Sequence, residues 1–232
     1  MIPIGDDRRA PVFPFVVYLL IALNVFVFVL ELRAPDIDRF IDLIATIPYD
    51  VTHGIVLPEP SPSIPALTIL TAMFLHAGIL HIGFNMLFLF VFGPEIEYAC
   101  GHLQFAVLYL LCGIAGGIAQ IAIGPGSHVP ELGASGAIAG ILGAYIVSYP
   151  TARINTIVPI GCFPLFLRLP AAIVIGLWAV IQFANGFGSL SARLAASDGT
   201  AYFAHIGGFS FGVLAIGFFR RRGVGTRGSR GY

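Results

Sequence analysis

Residues 11–32 read PVFPFVVYLLIALNVFVFVLEL, an apolar run broken only by Asn24 and Glu31. About 20 such residues carry a helix across the hydrocarbon of a bilayer. The run is too long for a signal-peptide core and has no small-x-small cleavage pattern, so it reads as a retained span. Similar runs follow at 74–96, 103–123, 134–149, 170–187 and 201–219, which makes six spans. The rest of the chain agrees. Of 232 residues, 57% are hydrophobic and only 10% charged, against roughly 25% charged in an ordinary soluble domain. Mean hydropathy is +0.92. A water-soluble globule needs more polar surface, and a disordered chain needs less apolar content. The expected fold class is therefore all-α, a polytopic membrane bundle of six transmembrane helices.

The domain layout follows from the gaps between runs. Residues 1–10 form an N-terminal segment, 11–219 the membrane domain, and 220–232 a basic tail. Residues 33–70 are a long interfacial loop rich in Asp and Pro, in which IDRFIDLIATI has the pattern of a short amphipathic piece in the headgroup region. Residues 155–169 are apolar but interrupted by Pro159, Pro164 and Arg168, and read as a non-spanning loop. All 12 basic residues are arginines; nine fall on the side of the termini and three (Arg33, Arg39, Arg193) on the other. By the positive-inside rule both termini are expected in the cytoplasm, for a multi-pass protein of the plasma (inner) membrane. The formal net charge is zero, so no basic field favours nucleic acid. Cys100, Cys112 and Cys162 have neither disulfide nor metal-site spacing. No metal and no cofactor are expected.

A polar group in hydrocarbon is costly unless it is paired, so polar residues inside spans are informative. Three sets stand out: His76, His81 and Asn85 at the head of span two, Ser135 at the head of span four, and His205 near the head of span six. Even-numbered spans all begin on one face, so the three sets lie at similar depth. Alone, each has a plain structural explanation. Serine in a membrane helix bonds back to its own backbone, Asn and His bond across helices, and glycines permit close packing. Together they suggest chemistry. Ser135 sits in Gly133-Ala134-Ser135-Gly136 at a loop-to-helix junction, where a nucleophile is exposed and free N–H groups face a developing oxyanion. His205, Gly208 and Gly212 share one face of span six, and Gly136 and Gly140 offer a small face on span four, so the two backbones can approach closely. His81 and Asn85, at i and i+4, project together as candidate oxyanion donors. No carboxylate lies mid-span near this site, and Glu131 and Asp198 are on loops. A Ser-His dyad is expected rather than a triad.

These segments resemble the rhomboid family of intramembrane serine proteases. The resemblance rests on His76-Ala77-Gly78 through His81-Ile82-Gly83-Phe84-Asn85, on Gly133-Ala134-Ser135-Gly136, and on Ala204-His205-Ile206-Gly207-Gly208 with Gly212, and covers about 70–220. Glu97-x-x-x-Gly101 also fits the family pattern. The resemblance implies a six-helix core with a water-filled cavity. It implies Ser135 as nucleophile, His205 as general base, and Asn85, His81 and the Ser135 N–H as oxyanion donors. It also implies a lipid bilayer setting and single-span transmembrane proteins as substrates, cut in or near the transmembrane segment, close to the outer face. Two departures are visible. Ala139 stands where some members carry a Tyr that stacks on the catalytic His, with Tyr202 a candidate substitute, and the Trp-Arg pair of the first loop is absent. Other intramembrane proteases do not fit, since neither HExxH nor GxGD occurs. A transporter normally shows paired broken helices. The closest rival is a catalytically silent rhomboid-like binder of membrane clients.

Overall fold

The computed structural model describes residues 1–8, 10–55, 64–161, 163–191 and 201–221. Arg193, Asp198, Cys162 and most of the basic tail lie outside the described residues. In chain order the elements are β1 (Ile2–Asp6), α1 (Phe15–Arg33), α2 (Ile37–Ile44), α3 (Pro48–His53) and α4 (Thr68–Thr71), the last flanked by 3-10 turns. Then come α5 (Ile79–Cys100), α6 (His102–Ile123), α7 (Ser135–Ser148), β2 (Arg153–Ile160), β3 (Phe163–Pro170), α8 (Ala171–Ser191) and α9 (Tyr202–Phe219).

The six apolar runs become α1, α5, α6, α7, α8 and α9. Five of them are long and apolar enough to cross a membrane, and α7 is a shorter apolar helix of 14 residues. The chain is an integral membrane protein. The amphipathic piece of the first loop is α2, started by Asp36, whose carboxylate accepts the Arg39 N–H at 3.0 Å. The long helix α1 has no side-chain cap of its own. Glu97 of α5 supplies one across the fold, accepting the N–H groups of Val16 and Val17 at 2.9 and 2.8 Å. This satisfies donors that would otherwise be stranded at a helix start.

The core is built on α7, whose residues from Gly136 to Tyr145 are all buried. Glycines set how closely its neighbours come. A Cβ on Gly208 of α9 would land on the carbonyl of Gly136, and one on Gly212 would land on that of Gly140. A Cβ on Gly116 of α6 would strike the carbonyl of Ala204. Helices α7 and α9 therefore touch backbone to backbone, as the small faces predict.

One expectation needs correcting. Residues 155–169 are not a loop but most of an antiparallel hairpin, β2–β3, paired from Arg153↔Pro170 to Ile160↔Phe163. Ile154 and Thr156 point inward while Arg153 and Asn155 face out, a period-2 pattern. The two prolines that argue against a strand sit opposite each other, Pro159↔Pro164, near the hairpin end. There a missing N–H interrupts little of the ladder. β1 adds to the free edge of β2 with Ile2 opposite Ile157, so the all-α membrane core carries a three-stranded sheet at one end. The sheet is tied down by polar contacts. The Tyr145 hydroxyl donates to Asp6, Arg8 Nε meets Glu95 Oε2 at 3.3 Å, and the Arg8 guanidinium lies 4.0 Å above the Tyr149 ring.

Candidate active site

Ser135 is the first residue of α7, so its own N–H has no intrahelical acceptor. The loop before it turns through Gly133 at φ 125°, a conformation that favours glycine. The same glycine lacks the Cβ that would press on the His81 ring, 3.0 Å from its Cε1 and Nε2. The Gly133 N–H donates to the Ala72 carbonyl at 2.8 Å, which fixes the loop's height.

His205 lies in the first turn of α9. Its Nε2 is 2.8 Å from Ser135 Oγ and its Nδ1 is 2.7 Å from Gln182 Oε1 of α8. The α9 N-terminus is held from α6, where Gln120 Oε1 accepts the Phe203 and Ala204 N–H groups at 3.1 and 3.2 Å. The Gln120 amide donates in turn to Glu131 Oε1 at 3.1 Å, in the loop that leads to Ser135. Burial raises the Glu131 carboxyl above its ordinary range, with the Gln120 amide offsetting part of that. Glu131 thus ties the serine loop to the histidine helix through Gln120.

Ser135, His205, His81 and Asn85 line one cavity of about 500 Å³, with Ala139 and Trp178 among its other walls. Asn85 is only 7% exposed, and no protein group among the described residues accepts from its Nδ2. Buried donors of that kind are rare and call for an explanation. His81 Nδ1 accepts the Ala77 N–H at 3.3 Å, so its proton belongs on Nε2, the edge turned to Gly133. His76 does not line that cavity. It is 2% exposed, its ring stands edge-on to His81 at 5.1 Å, and its backbone N–H donates to Glu31 Oε1 at 3.0 Å. Gly136, Gly208 and Gly212 act through the helix crossing described above. The Trp178 ring lies beside His205, with centroids 5.9 Å apart, and Asn185 Nδ2 donates to the Tyr202 hydroxyl at 3.5 Å.

Sequence reasoning does not find Gln182, Trp178, Gln120 or Glu31. The first two sit in a run read only for its hydropathy. Gln120 and Glu31 are polar residues inside or at the end of a span, the signal that singles out Asn85 and His81.

Residues 65–222 match the family described as the Rhomboid domain, more than half of the chain. The chain belongs to the rhomboid family. Rhomboid protein 1, mitochondrial, of Saccharomyces cerevisiae is 31% identical over 209 residues, covering 85% of this chain and 51% of that protein. Rhomboid protease GluP of Bacillus subtilis is 44% identical over 78 residues, 34% of this chain and 15% of that protein. Inactive rhomboid protein 1 of Drosophila melanogaster is 32% identical over 78 residues, 34% of this chain and 5% of that protein. This rhomboid spans about half the length, or less, of these relatives. One of them is named inactive, so membership alone does not decide activity, and the side chains must.

Proposed function

We propose that this rhomboid is an intramembrane serine endopeptidase that hydrolyses a peptide bond in or near the transmembrane segment of single-span substrates. The observation that carries the reading is the 2.8 Å contact between Ser135 Oγ and His205 Nε2 at a cavity wall. In the proposed reaction His205 takes the Ser135 proton as Oγ attacks the scissile carbonyl. The oxyanion that forms is met by Asn85 Nδ2, the Ser135 N–H and His81 Nε2–H. The imidazolium then gives its proton to the leaving amine, and water hydrolyses the acyl-enzyme by the same route. No step calls for a metal or cofactor. A helical peptide bond is shielded by its own hydrogen bonds, so the substrate helix must open locally at the cut. Gly or Pro in the substrate span eases that opening.

The same reading puts the cavity mouth on the outer face of the plasma (inner) membrane and both termini in the cytoplasm, supported by nine arginines against three. The test is incubation of the purified protein in bilayers with a model single-span substrate, beside Ser135→Ala. The intact protein cleaves and Ser135→Ala does not, while its melting temperature is unchanged because Ala is smaller and adds no clash. A fluorophosphonate probe labels Ser135 alone. Cleavage by Ser135→Ala at the intact protein's rate sinks the proposal.

A further inference from the structure

Sequence alone marks α8 as a span and nothing more. Trp178 and Gln182 are one helical turn apart on it and share a face. Both meet His205, the ring of Trp178 at 5.9 Å between centroids and Gln182 Oε1 at 2.7 Å from Nδ1. An amide oxygen only accepts, so the nitrogen opposite it carries the proton. A neutral imidazole holds one proton, which leaves Nε2 bare, 2.8 Å from Ser135 Oγ. That is the tautomer a general base requires. The carboxylates around the site are engaged elsewhere. Glu131 accepts from Gln120, and Glu31 from the His76 N–H.

We infer that Gln182 is the positioning residue for His205, a neutral acceptor standing where a serine-protease triad places an acid. The inference rests on the protease reading for its catalytic meaning, but the hydrogen bond is testable without it. The choice of an amide has a physical logic. A carboxylate at this depth has to be desolvated, whereas an amide orients the ring at far lower cost. In exchange, the amide does not offset the imidazolium that forms during attack.

Three measurements test this. In protein labelled with 15N-histidine, with His205 assigned by comparison with His205→Asn, the ring is protonated at Nδ1. In Gln182→Leu the two tautomers mix. In turnover, Gln182→Leu lowers kcat by about 10–100-fold with KM nearly unchanged, the usual cost of losing a group that orients a reacting one. Gln182→Glu keeps the acceptor, recovers most of kcat, and moves the acid limb of the pH–rate profile to higher pH, because a negative charge beside Nδ1–H favours the protonated ring. Among the described residues, His81 is the other titratable group on the cavity and is unchanged in both variants. A proton on Nε2 of His205 in the unmodified protein overturns the inference. So does Gln182→Leu with the parent's kcat and tautomer, or Gln182→Glu with an unmoved acid limb. If the tautomer depends on Gln182 but no Ser135-dependent cleavage occurs, the protease reading fails and the positioning contact stands.

Discussion

Asn85 tests whether the polar residues of α5 are catalytic or merely interhelical glue. Its Nδ2 is buried without a protein acceptor among the described residues, on the wall it shares with Ser135. Glue is bonded; an oxyanion donor waits for charge that exists only in the transition state. Asn85→Ala is expected to lower kcat by about 10²–10³-fold, or roughly 3–4 kcal/mol. KM and melting temperature should stay near the parent's, because the donor contributes no protein hydrogen bond to lose. A lowered melting temperature with normal kcat assigns Asn85 to packing instead. The residues that sequence reasoning finds, Ser135, His205, His81 and Asn85, are polar where lipid is expected and sit beside glycines. Gln182 was equally polar inside a span, yet no motif surrounds it. Its role appears only when α8 is laid against α9, because the partner atom is 23 residues away in sequence.

At the scale of elements, the site depends on two helices meeting without side chains between them. Gly212→Ala puts a methyl group onto the Gly140 backbone, which cannot rotate aside as a side chain can. The expected cost is about 1–3 kcal/mol, seen as a lowered melting temperature in micelles. Cleavage per folded molecule should fall with it, since the His205–Ser135 contact rides on the same crossing. Gly217 of α9 is the control. A Cβ there meets nothing within 4 Å, so Gly217→Ala should match the parent or gain up to about 1 kcal/mol from helix propensity. Equal losses in both variants would show that the crossing is not what α9's glycines serve. The helices themselves are legible because each is a largely apolar run with few polar residues. The β2–β3 hairpin is less so: β3 is apolar on both faces, with Phe163, Leu165 and Phe166 exposed, and its prolines mimic a loop. The shortness of α7 is legible too, since its apolar run spans only 134–149. At 14 residues it is about 21 Å long, well under the roughly 30 Å of a bilayer core. A nucleophile at its first residue can therefore sit below the membrane surface.

For the whole molecule, the sheet that closes one end loses stability as pH rises. Burial raises the Asp6 carboxyl from 3.8 to about 6, partly offset by the hydrogen bonds from Tyr145 and the Arg8 N–H. Between about pH 4 and 6 the folded protein holds a proton that the unfolded chain releases. Stability from this group is thus fully present below about pH 4, falls as pH rises through 6, and stays low above it. Measured as the difference between the parent and Asp6→Asn, melting temperature should drop from pH 4.5 to 7.5 in the parent more than in the variant. A flat difference across that range rejects the assignment. The pairing itself is not legible from either segment alone, because IPIGD is short and its partner strand lies beyond four spans. That distance has a consequence for biosynthesis. Ile2 pairs with Ile157, and at about 5–20 residues per second roughly 10–30 s of translation separate them. During that interval α1 enters the bilayer with its first residues unpaired, its cap from Glu97 also still to be made. The end of the molecule that emerges first therefore stays unlocked until β2 has been made, and its closure registers that the first four crossings have been completed in order.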